Sequence, residues 1–223
     1  MSSDRRRFLR WTFGGVAGLA VADSSVLGAS AATAGDPRLA EAAPLGDDPW
    51  LAALAGKKHK AFLDVMHFFP DGTPFRRGRN VLGVLHESYG AAEGEIGVVL
   101  GMHGPGLAHG VSQAVWDDLG LLEWLAPRLS AADSAALKAG AGTYASAGAA
   151  AVSELRARGA RFLACRETIS RWSQRVATQK GEPAATIAER IVRGLHEGVE
   201  PVPAMTVAAV QAQSRGAAYV AVS

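Results

Sequence analysis

The sequence predicts an α/β protein, a three-layer α/β/α sandwich with a mostly parallel sheet of about five strands. From residue 58 onward, short apolar runs alternate with longer segments of helical spacing. The run Glu95–Gly104, EIGVVLGMHG, is apolar almost throughout, which is typical of a strand buried on both faces of a parallel sheet. Right-handed crossovers between parallel strands then place helices on both faces of the sheet.

Five segments have the short length and the apolar content of strands. The second runs into the turn HGPG, and the third ends at the single cysteine of the chain. In chain order the segments are His59–Phe68, Glu95–Gly104, Ala160–Cys165, Val199–Pro203 and Ala217–Val222. Each of the first four is followed by at least one segment of helical character, so a helix is expected in every connection.

Helical segments occupy the rest of the chain after residue 58. Pro74–Gly90 has apolar side chains at helical spacing, and Ser146–Gly159 ends in a glycine that can cap a helix. The alanine-rich stretch Ala131–Ala151 also favours helix. The other helical segments are Gly106–Gly120, Leu121–Leu129, Glu167–Gly181, Pro183–Gly194 and Ala204–Gly216.

The first 34 residues have the three regions of a signal peptide. A basic cluster within Arg5–Arg10 precedes about a dozen mostly apolar residues, a run shorter than the ~20 residues that a spanning helix needs. Ala29–Ala31 and Ala32–Ala34 then each fit an A-x-A cleavage site. The order RRRFLR resembles a twin-arginine signal, so we expect export in the folded state to a periplasmic or secreted location.

The remaining chain is expected to form a linker followed by one domain. Residues 35–57 are interpreted as the linker, with a short helix around Pro49–Ala55, and residues 58–223 as the α/β domain. Residues 1–34 hold four of the 23 basic and two of the 21 acidic residues, which leaves 19 of each sign. A near-neutral domain argues against nucleic-acid binding, and membrane contact is expected only through an uncleaved signal peptide. A single cysteine excludes an intramolecular disulfide.

Cys165 stands at the end of the third predicted strand and at the start of a predicted helix. In an open parallel α/β sheet, ligands bind at the carboxyl ends of the strands. The N–H groups at the start of a helix favour a thiolate, which is the reactive form of cysteine. The residues alone also leave open that Cys165 is an inert core residue, because buried cysteine is common.

The turn His103–Gly106, which follows the second strand, is the other candidate at this edge. Gly104 and Gly106 permit left-handed backbone angles, and such a turn can bring N–H groups to an anion or can be a purely structural bend. The histidines form no H-x-x-x-H or H-E-x-x-H pair. Their spacing predicts no metal and no cofactor, although a site assembled from distant segments stays open.

Three segments carry a family resemblance, in order along the chain. VVLGMHGPGLAHGVSQAVWDDLG (Val98–Gly120) contains the HGP turn, and ELRARGARFLACRETISR (Glu154–Arg171) runs through the cysteine. GVEPVPAMTVAAVQAQSRGAAYVAV (Gly198–Val222) forms the end of the chain. Together they resemble the DsrE/DsrF-like superfamily in its V-V-L-H-G-P turn, its strand-cysteine-helix segment and its closing unit. The resemblance covers about residues 58–223.

The resemblance implies a DsrE-like three-layer domain in a homo- or hetero-oligomer. In sulfur-relay members of the superfamily, the cysteine at this strand end carries a persulfide that passes from protein to protein, and this role falls on Cys165. Thr168 and Arg171 match the positions that follow the cysteine, so they join His103, Gly104 and Gly106 as candidate binding residues. A glycine that follows the basic residue in the superfamily is absent here.

We therefore expect an exported DsrE-like protein that binds or transfers sulfur through Cys165, with a sulfur donor or acceptor protein as its partner. Two other classes stay open on the sequence alone. One is a non-catalytic binding or assembly module of the cell envelope, in which Cys165 is structural. The other is a histidine-based metal or haem protein. The sequence does not decide whether the chain is an enzyme.

Overall fold

The computed structural model describes residues 48–223, in which five strands form one parallel sheet. The strands are β1 (His59–Val65), β2 (Ile96–Met102), β3 (Arg161–Cys165), β4 (Val199–Val202) and β5 (Ala218–Ala221). Their order across the sheet is β4-β3-β2-β1-β5. The predicted signal peptide and residues 35–47 of the predicted linker lie outside the described residues.

Nine α-helices accompany the sheet in residues 48–223, and three short 3-10 helices lie between them. The α-helices are α1 (Pro49–Ala55), α2 (Thr73–Glu87), α3 (Gln113–Leu119), α4 (Leu121–Leu125), α5 (Ala131–Ala139), α6 (Tyr144–Ala157), α7 (Arg166–Lys180), α8 (Ala184–Arg193) and α9 (Met205–Ser214). The 3-10 helices are Glu93–Glu95, Gly104–Gly110 and Ala126–Arg128. In this part of the chain, no helix is long and apolar enough to cross a lipid bilayer.

Side chains alternate between the two faces of the sheet, so each face has its own apolar layer. Phe62 and Leu163 pack on the face that carries α1 and α9, whereas Leu63 and Phe162 pack on the opposite face with α2, α6 and α7. The helix residues of these layers include Trp50, Leu54, Met205 and Ala212 on the first face and Leu82, Leu155, Ile169 and Val176 on the second. The predicted three-layer α/β/α sandwich is therefore confirmed, and α1 packs on the sheet.

One predicted helix is divided in the structure. The segment Gly106–Gly120 contains most of the 3-10 helix Gly104–Gly110 and then α3. Between them, Val111 has an extended backbone and forms an antiparallel bridge with Leu195. This bridge joins positions far apart in the chain, so the local pattern of residues does not reveal the interruption.

The connections after β3 and β4 leave the sheet on opposite faces. α7 follows β3 and packs through Ile169 and Val176 on the face of α2 and α6. α9 follows β4 and packs through Ala208 and Ala212 on the other face. Because β3 and β4 are neighbours, the connections that follow them diverge from adjacent points and leave a crevice at the carboxyl ends of these two strands. Ligands of open α/β sheets usually bind in such a crevice.

Candidate functional site

A cavity of about 510 Å³ lies at this crevice. Its walls come from the turn after β2, the start of α7, the start of α9 and the segment around Trp124 and Arg128. The predicted site residues that line it are His103, Gly104, Cys165, Thr168 and Arg171. Gly106, the last residue of the turn, is buried and is not among the lining residues. A smaller cavity of about 280 Å³ lies beside Trp116 and Tyr144 and contains none of the predicted site residues.

Cys165 is the last residue of β3 and the N-cap of α7. Only 3 % of its surface is exposed, and it belongs to the same apolar cluster as Val202 and Met205. It also lines the cavity together with Met205. The cysteine is thus buried and at the ligand-binding edge at the same time, and a small reactant must enter the cavity to reach its sulfur.

A chain of hydrogen bonds from β5 through β1 holds His103 at the end of β2. His103 Nε2 lies 2.7 Å from Asp64 Oδ1, and the Tyr219 hydroxyl donates to Asp64 Oδ2 at 2.5 Å. Burial disfavours the Asp64 carboxylate, but the hydrogen bonds from His103 and Tyr219 outweigh this effect and lower the pKa of Asp64. Because an ionised carboxylate only accepts hydrogen bonds, His103 Nε2 is the donor. Within residues 48–223, no hydrogen bond engages His103 Nδ1.

Neither Asp64, which bonds to His103, nor Tyr219, which bonds to Asp64, was predicted from the sequence. Asp64 offered a signal in the sequence, because it is a charged residue inside the apolar strand AFLDV. In the structure its side chain is only 14 % exposed. Tyr219 offered none, because its contact with Asp64 requires β5 to lie beside β1. The hydrogen bond to Asp64, together with burial, raises the pKa of Tyr219 to about 12.

The HGPG turn uses its own backbone groups to pack against neighbouring elements. Gly104 has a φ of 51°, and its N–H donates to Thr168 Oγ1 at 2.9 Å. The N–H of Gly106 donates to the carbonyl of Met66 at 3.1 Å. A Cβ on Gly106 would lie 2.2 Å from the carbonyl oxygen of Val65, so only glycine fits where the turn crosses the end of β1. Both glycine N–H groups therefore have partners inside the protein.

The formal charges on the cavity wall are mostly positive, with three arginines and one glutamate. Arg171 is largely exposed and lies 3.8 Å from Glu167 Oε2. The guanidinium carbons of Arg128 and Arg175 lie 4.5 Å and 4.7 Å from the ring centre of Trp124. Burial, and then the charge of Arg128, lowers the pKa of Arg175. Trp124, Arg128 and Arg175 were not predicted as cavity residues, because Arg175 lies in a different helical segment, Glu167–Gly181, from the other two, which lie in Leu121–Leu129.

One buried histidine outside the cavity has a structural role. His109 Nε2 accepts a hydrogen bond from the Phe69 N–H at 3.1 Å, and its ring stacks on Phe68 at 4.5 Å between centres. Burial lowers the pKa of His109 to about 3, so its ring is neutral at pH 7. In the part of the chain that the structure describes, no group of three or more His, Cys, Asp or Glu residues is placed to hold a metal ion.

No family model matches the chain, and no curated protein matches it either. A similar solved structure is that of the protein of unknown function MTH1491 from Methanobacterium thermoautotrophicum. The similarity covers 74 % of this chain and 99 % of that chain, at 15 % sequence identity and a TM-score of 0.42. Function is therefore inferred from the cavity itself.

Proposed function

We propose that this chain is a sulfur-carrying protein, in which the Cys165 thiol takes up a sulfane sulfur as a persulfide and passes it on. One observation carries the proposal. The single cysteine of the chain ends β3 at the wall of the cavity, where the connections of β3 and β4 diverge. Ligands of open α/β sheets bind in such crevices. Cys165 is the N-cap of α7, and the N–H groups at the start of a helix generally favour the thiolate that this chemistry requires.

The proposed step is an exchange at sulfur. The Cys165 thiolate attacks the outer sulfur of a donor persulfide, R–S–SH. A bond forms between Sγ and that sulfur, and the S–S bond of the donor breaks with its electron pair leaving on R–S⁻. The products are Cys165–S–SH and R–S⁻, so atoms and charge balance without an outside oxidant or reductant. An acceptor thiolate removes the sulfur by the same exchange.

His103 is the residue that we assign to proton transfer. Its proton on Nε2 points to Asp64, so a neutral ring has Nδ1 as its proton acceptor. His103 lines the same cavity as Cys165, and its bond to the Asp64 carboxylate keeps the ring in the tautomer whose Nδ1 can take the thiol proton. The deprotonated Cys165 then attacks the donor, and the imidazolium returns its proton to R–S⁻.

The proposal includes a setting in the cell. The arginine-rich start of the chain supports export by the twin-arginine route to the periplasm or the medium. The resemblance to DsrE-like proteins supports a homo-oligomer that meets a sulfur donor or acceptor protein.

A non-catalytic binding module with a structural cysteine is the second candidate function. It is favoured by the burial of Cys165, which is 3 % exposed and shares an apolar cluster with Val202 and Met205. In such a module the thiol fills space beside the cavity and reacts only after the protein unfolds.

Intact-mass spectrometry after exposure to inorganic polysulfide separates the two candidates. We expect the native protein to gain mass in increments of about 32 Da, the mass of one sulfur atom, and to lose it again with dithiothreitol. Cys165→Ala is the matched control and is expected to gain nothing. The same treatment of the wild-type chain in concentrated urea confirms that the thiol can react. If the protein gains sulfur only in urea, the sulfur-carrier proposal is wrong and Cys165 is a structural residue of a non-catalytic binding module.

A further inference from the structure

Arg128 and Arg175 place two positive charges on one wall of the cavity. Both guanidinium carbons lie within 5 Å of the Trp124 ring centre, at 4.5 Å and 4.7 Å. Arg128 Nη1 donates to the carbonyl of Trp124, and Arg175 Nη2 donates to the carbonyl of Leu119 at 3.1 Å. The Arg175 Nε is buried without a hydrogen-bond partner. In residues 48–223, no carboxylate forms an ion pair with either arginine.

The Trp124 ring attracts both guanidinium groups, but no carboxylate of residues 48–223 neutralises their charge. Each guanidinium has five N–H donors, and only a few of those on Arg128 and Arg175 are used within the protein. Arg171 adds a third positive charge, and the one carboxylate on the wall, that of Glu167, lies 3.8 Å from Arg171. A partly buried cation in a protein is usually paired with a carboxylate or a bound anion. Arg175 is half-buried, and its Nε has no hydrogen-bond partner. Arg175, with the exposed Arg128 beside it on Trp124, therefore indicates that the missing partner is an anion that enters the cavity.

Apolar side chains form part of the cavity wall beside the arginines. Trp124 and Trp172 meet edge to face at 5.6 Å between ring centres, and Met66 and Met205 contribute flexible apolar side chains. The volume of about 510 Å³ lies in the range of roughly 300–1,000 Å³ that is typical of small-molecule sites. A bare inorganic oxyanion is much smaller than this space, which leaves room for an organic body beside the aromatic rings.

We infer that the cavity binds a small organic anion. Its oxygen-bearing head, a sulfonate, phosphate or carboxylate, lies on the Arg128–Arg175 pair, and its apolar body lies against Trp124 and Trp172. The site adjoins Cys165 but does not depend on persulfide chemistry, because the arginines and the tryptophans are complete without the thiol.

Calorimetric titration of the wild-type chain tests the class of ligand. Benzenesulfonate, phenyl phosphate and benzoate each carry an anionic head on a phenyl ring. Benzenesulfonamide has the same ring without the charge, and sulfate is a head without the ring. We expect at least one of the three aromatic anions to bind about tenfold or more tightly than both benzenesulfonamide and sulfate, and to bind more weakly at high salt. If none does, the inference is wrong.

Two arginine variants test the position of the head. Arg128→Gln and Arg175→Gln each remove one charge, and we expect each to weaken binding of the preferred anion about tenfold to a hundredfold. Arg77→Gln is the matched control, because Arg77 is exposed on α2 and does not line the cavity. Arg128 is exposed, so Arg128→Gln is expected to keep the fold even if Arg175→Gln does not. Unchanged affinity in Arg128→Gln, or an equal loss in Arg77→Gln, contradicts the site.

This inference and the sulfur-carrier proposal fail separately. Cys165→Ala keeps the arginine pair, so we expect it to bind the preferred anion with at least the affinity of the wild-type chain. Arg128→Gln keeps the thiol, so we expect it still to gain sulfur from inorganic polysulfide. Loss of anion binding in Cys165→Ala, with the fold intact, would show that the arginine pair is not a complete anion site.

Discussion

The side-chain oxygen of Thr168 accepts a hydrogen bond from the backbone N–H of Gly104, at 2.9 Å. Thr168 lies in the first turn of α7, and Gly104 opens the turn that follows β2. The sequence indicated Gly104 and Thr168 as separate ligand contacts, but in the structure they are bonded to each other. Their bond joins the two walls of the cavity that carry Cys165 and His103.

Thr168→Val removes this acceptor while keeping the shape of the side chain. The Gly104 N–H is then left without a partner in a partly buried position, so we expect the free energy of unfolding to fall by about 1–3 kcal/mol. Thr168→Ser keeps the oxygen and loses one methyl group, which costs about 0.8 kcal/mol. Urea unfolding compares the variants, and equal stability of the two would show that the hydrogen bond contributes nothing.

Gly106→Ala is expected to destabilise the protein more than Gly104→Ala. The new methyl group at position 106 would lie 2.2 Å from the backbone oxygen of Val65, which cannot move without displacing β1, so we expect a loss of about 3 kcal/mol or more. Alanine at position 104 has a left-handed φ of 51°, which costs about 1–2 kcal/mol.

Gly90→Ala is the matched control for this pair. Gly90 has a φ of 68°, and no atom lies within 4 Å of the point that a Cβ would occupy, so this variant measures the cost of the left-handed backbone alone. Urea unfolding of the three variants gives the order of their free energies of unfolding. A Gly106→Ala protein as stable as Gly90→Ala would contradict the close approach of the turn to β1.

Asp64→Asn is expected to lower the pKa of Tyr219 from about 12 towards the ordinary value of about 10, because the hydrogen bond to the carboxylate is the main cause of the shift. Absorbance of tyrosinate during an alkaline titration measures the change. Tyr219→Phe identifies the transition, since it removes only that ionisation. An unchanged titration in Asp64→Asn would mean that the two side chains are not bonded in solution.

Tyr219 and Asp64, the latter bonded to both His103 and Tyr219, make stability depend on pH at both ends of the scale. The native pKa of Tyr219 is raised, so its contribution is complete below about pH 10 and is lost as the pH rises through about 12. The native pKa of Asp64 is lowered, so its contribution is present above about pH 4 and is lost as the pH falls through the native value. Wild type and Asp64→Asn should therefore converge in stability at low pH.

His109 is expected to make the protein less stable in mild acid. Its native pKa is lowered to about 3 by burial, whereas in the unfolded chain it is about 6.5. The unfolded state therefore binds a proton first, and stability falls as the pH drops from about 6.5 towards 3, by up to about 1.4 kcal/mol per pH unit.

His109→Gln is the comparison for this effect, because glutamine can accept the Phe69 hydrogen bond but does not titrate. Urea unfolding at several pH values between 7 and 4.5 measures how steeply the free energy of unfolding changes with pH in the wild type and in His109→Gln. The wild-type slope should be steeper than that of the variant, and parallel slopes would argue against a neutral buried ring.

The strands were predictable because each combines a short apolar run with a clear end. The predicted Glu95–Gly104 became β2, Ile96–Met102, and the predicted Ala160–Cys165 became β3, Arg161–Cys165. The first predicted strand was too long, because the backbone leaves the sheet after Val65 and Met66 instead accepts the Gly106 N–H. That bond joins segments 40 residues apart, which a local pattern cannot encode.

The local pattern of residues was enough to predict the α/β class. It also predicted that Cys165 and His103 lie at the same edge of the sheet, because the carboxyl ends of parallel strands all lie at that edge. Only the folded chain brought Asp64 to His103, Tyr219 to Asp64, and Arg175 to the ring of Trp124 that Arg128 also contacts. These contacts depend on the order of the strands in the sheet and on how separate helices pack. Both follow from side-chain fit and backbone hydrogen bonds between distant segments, for which the chain carries no short motif.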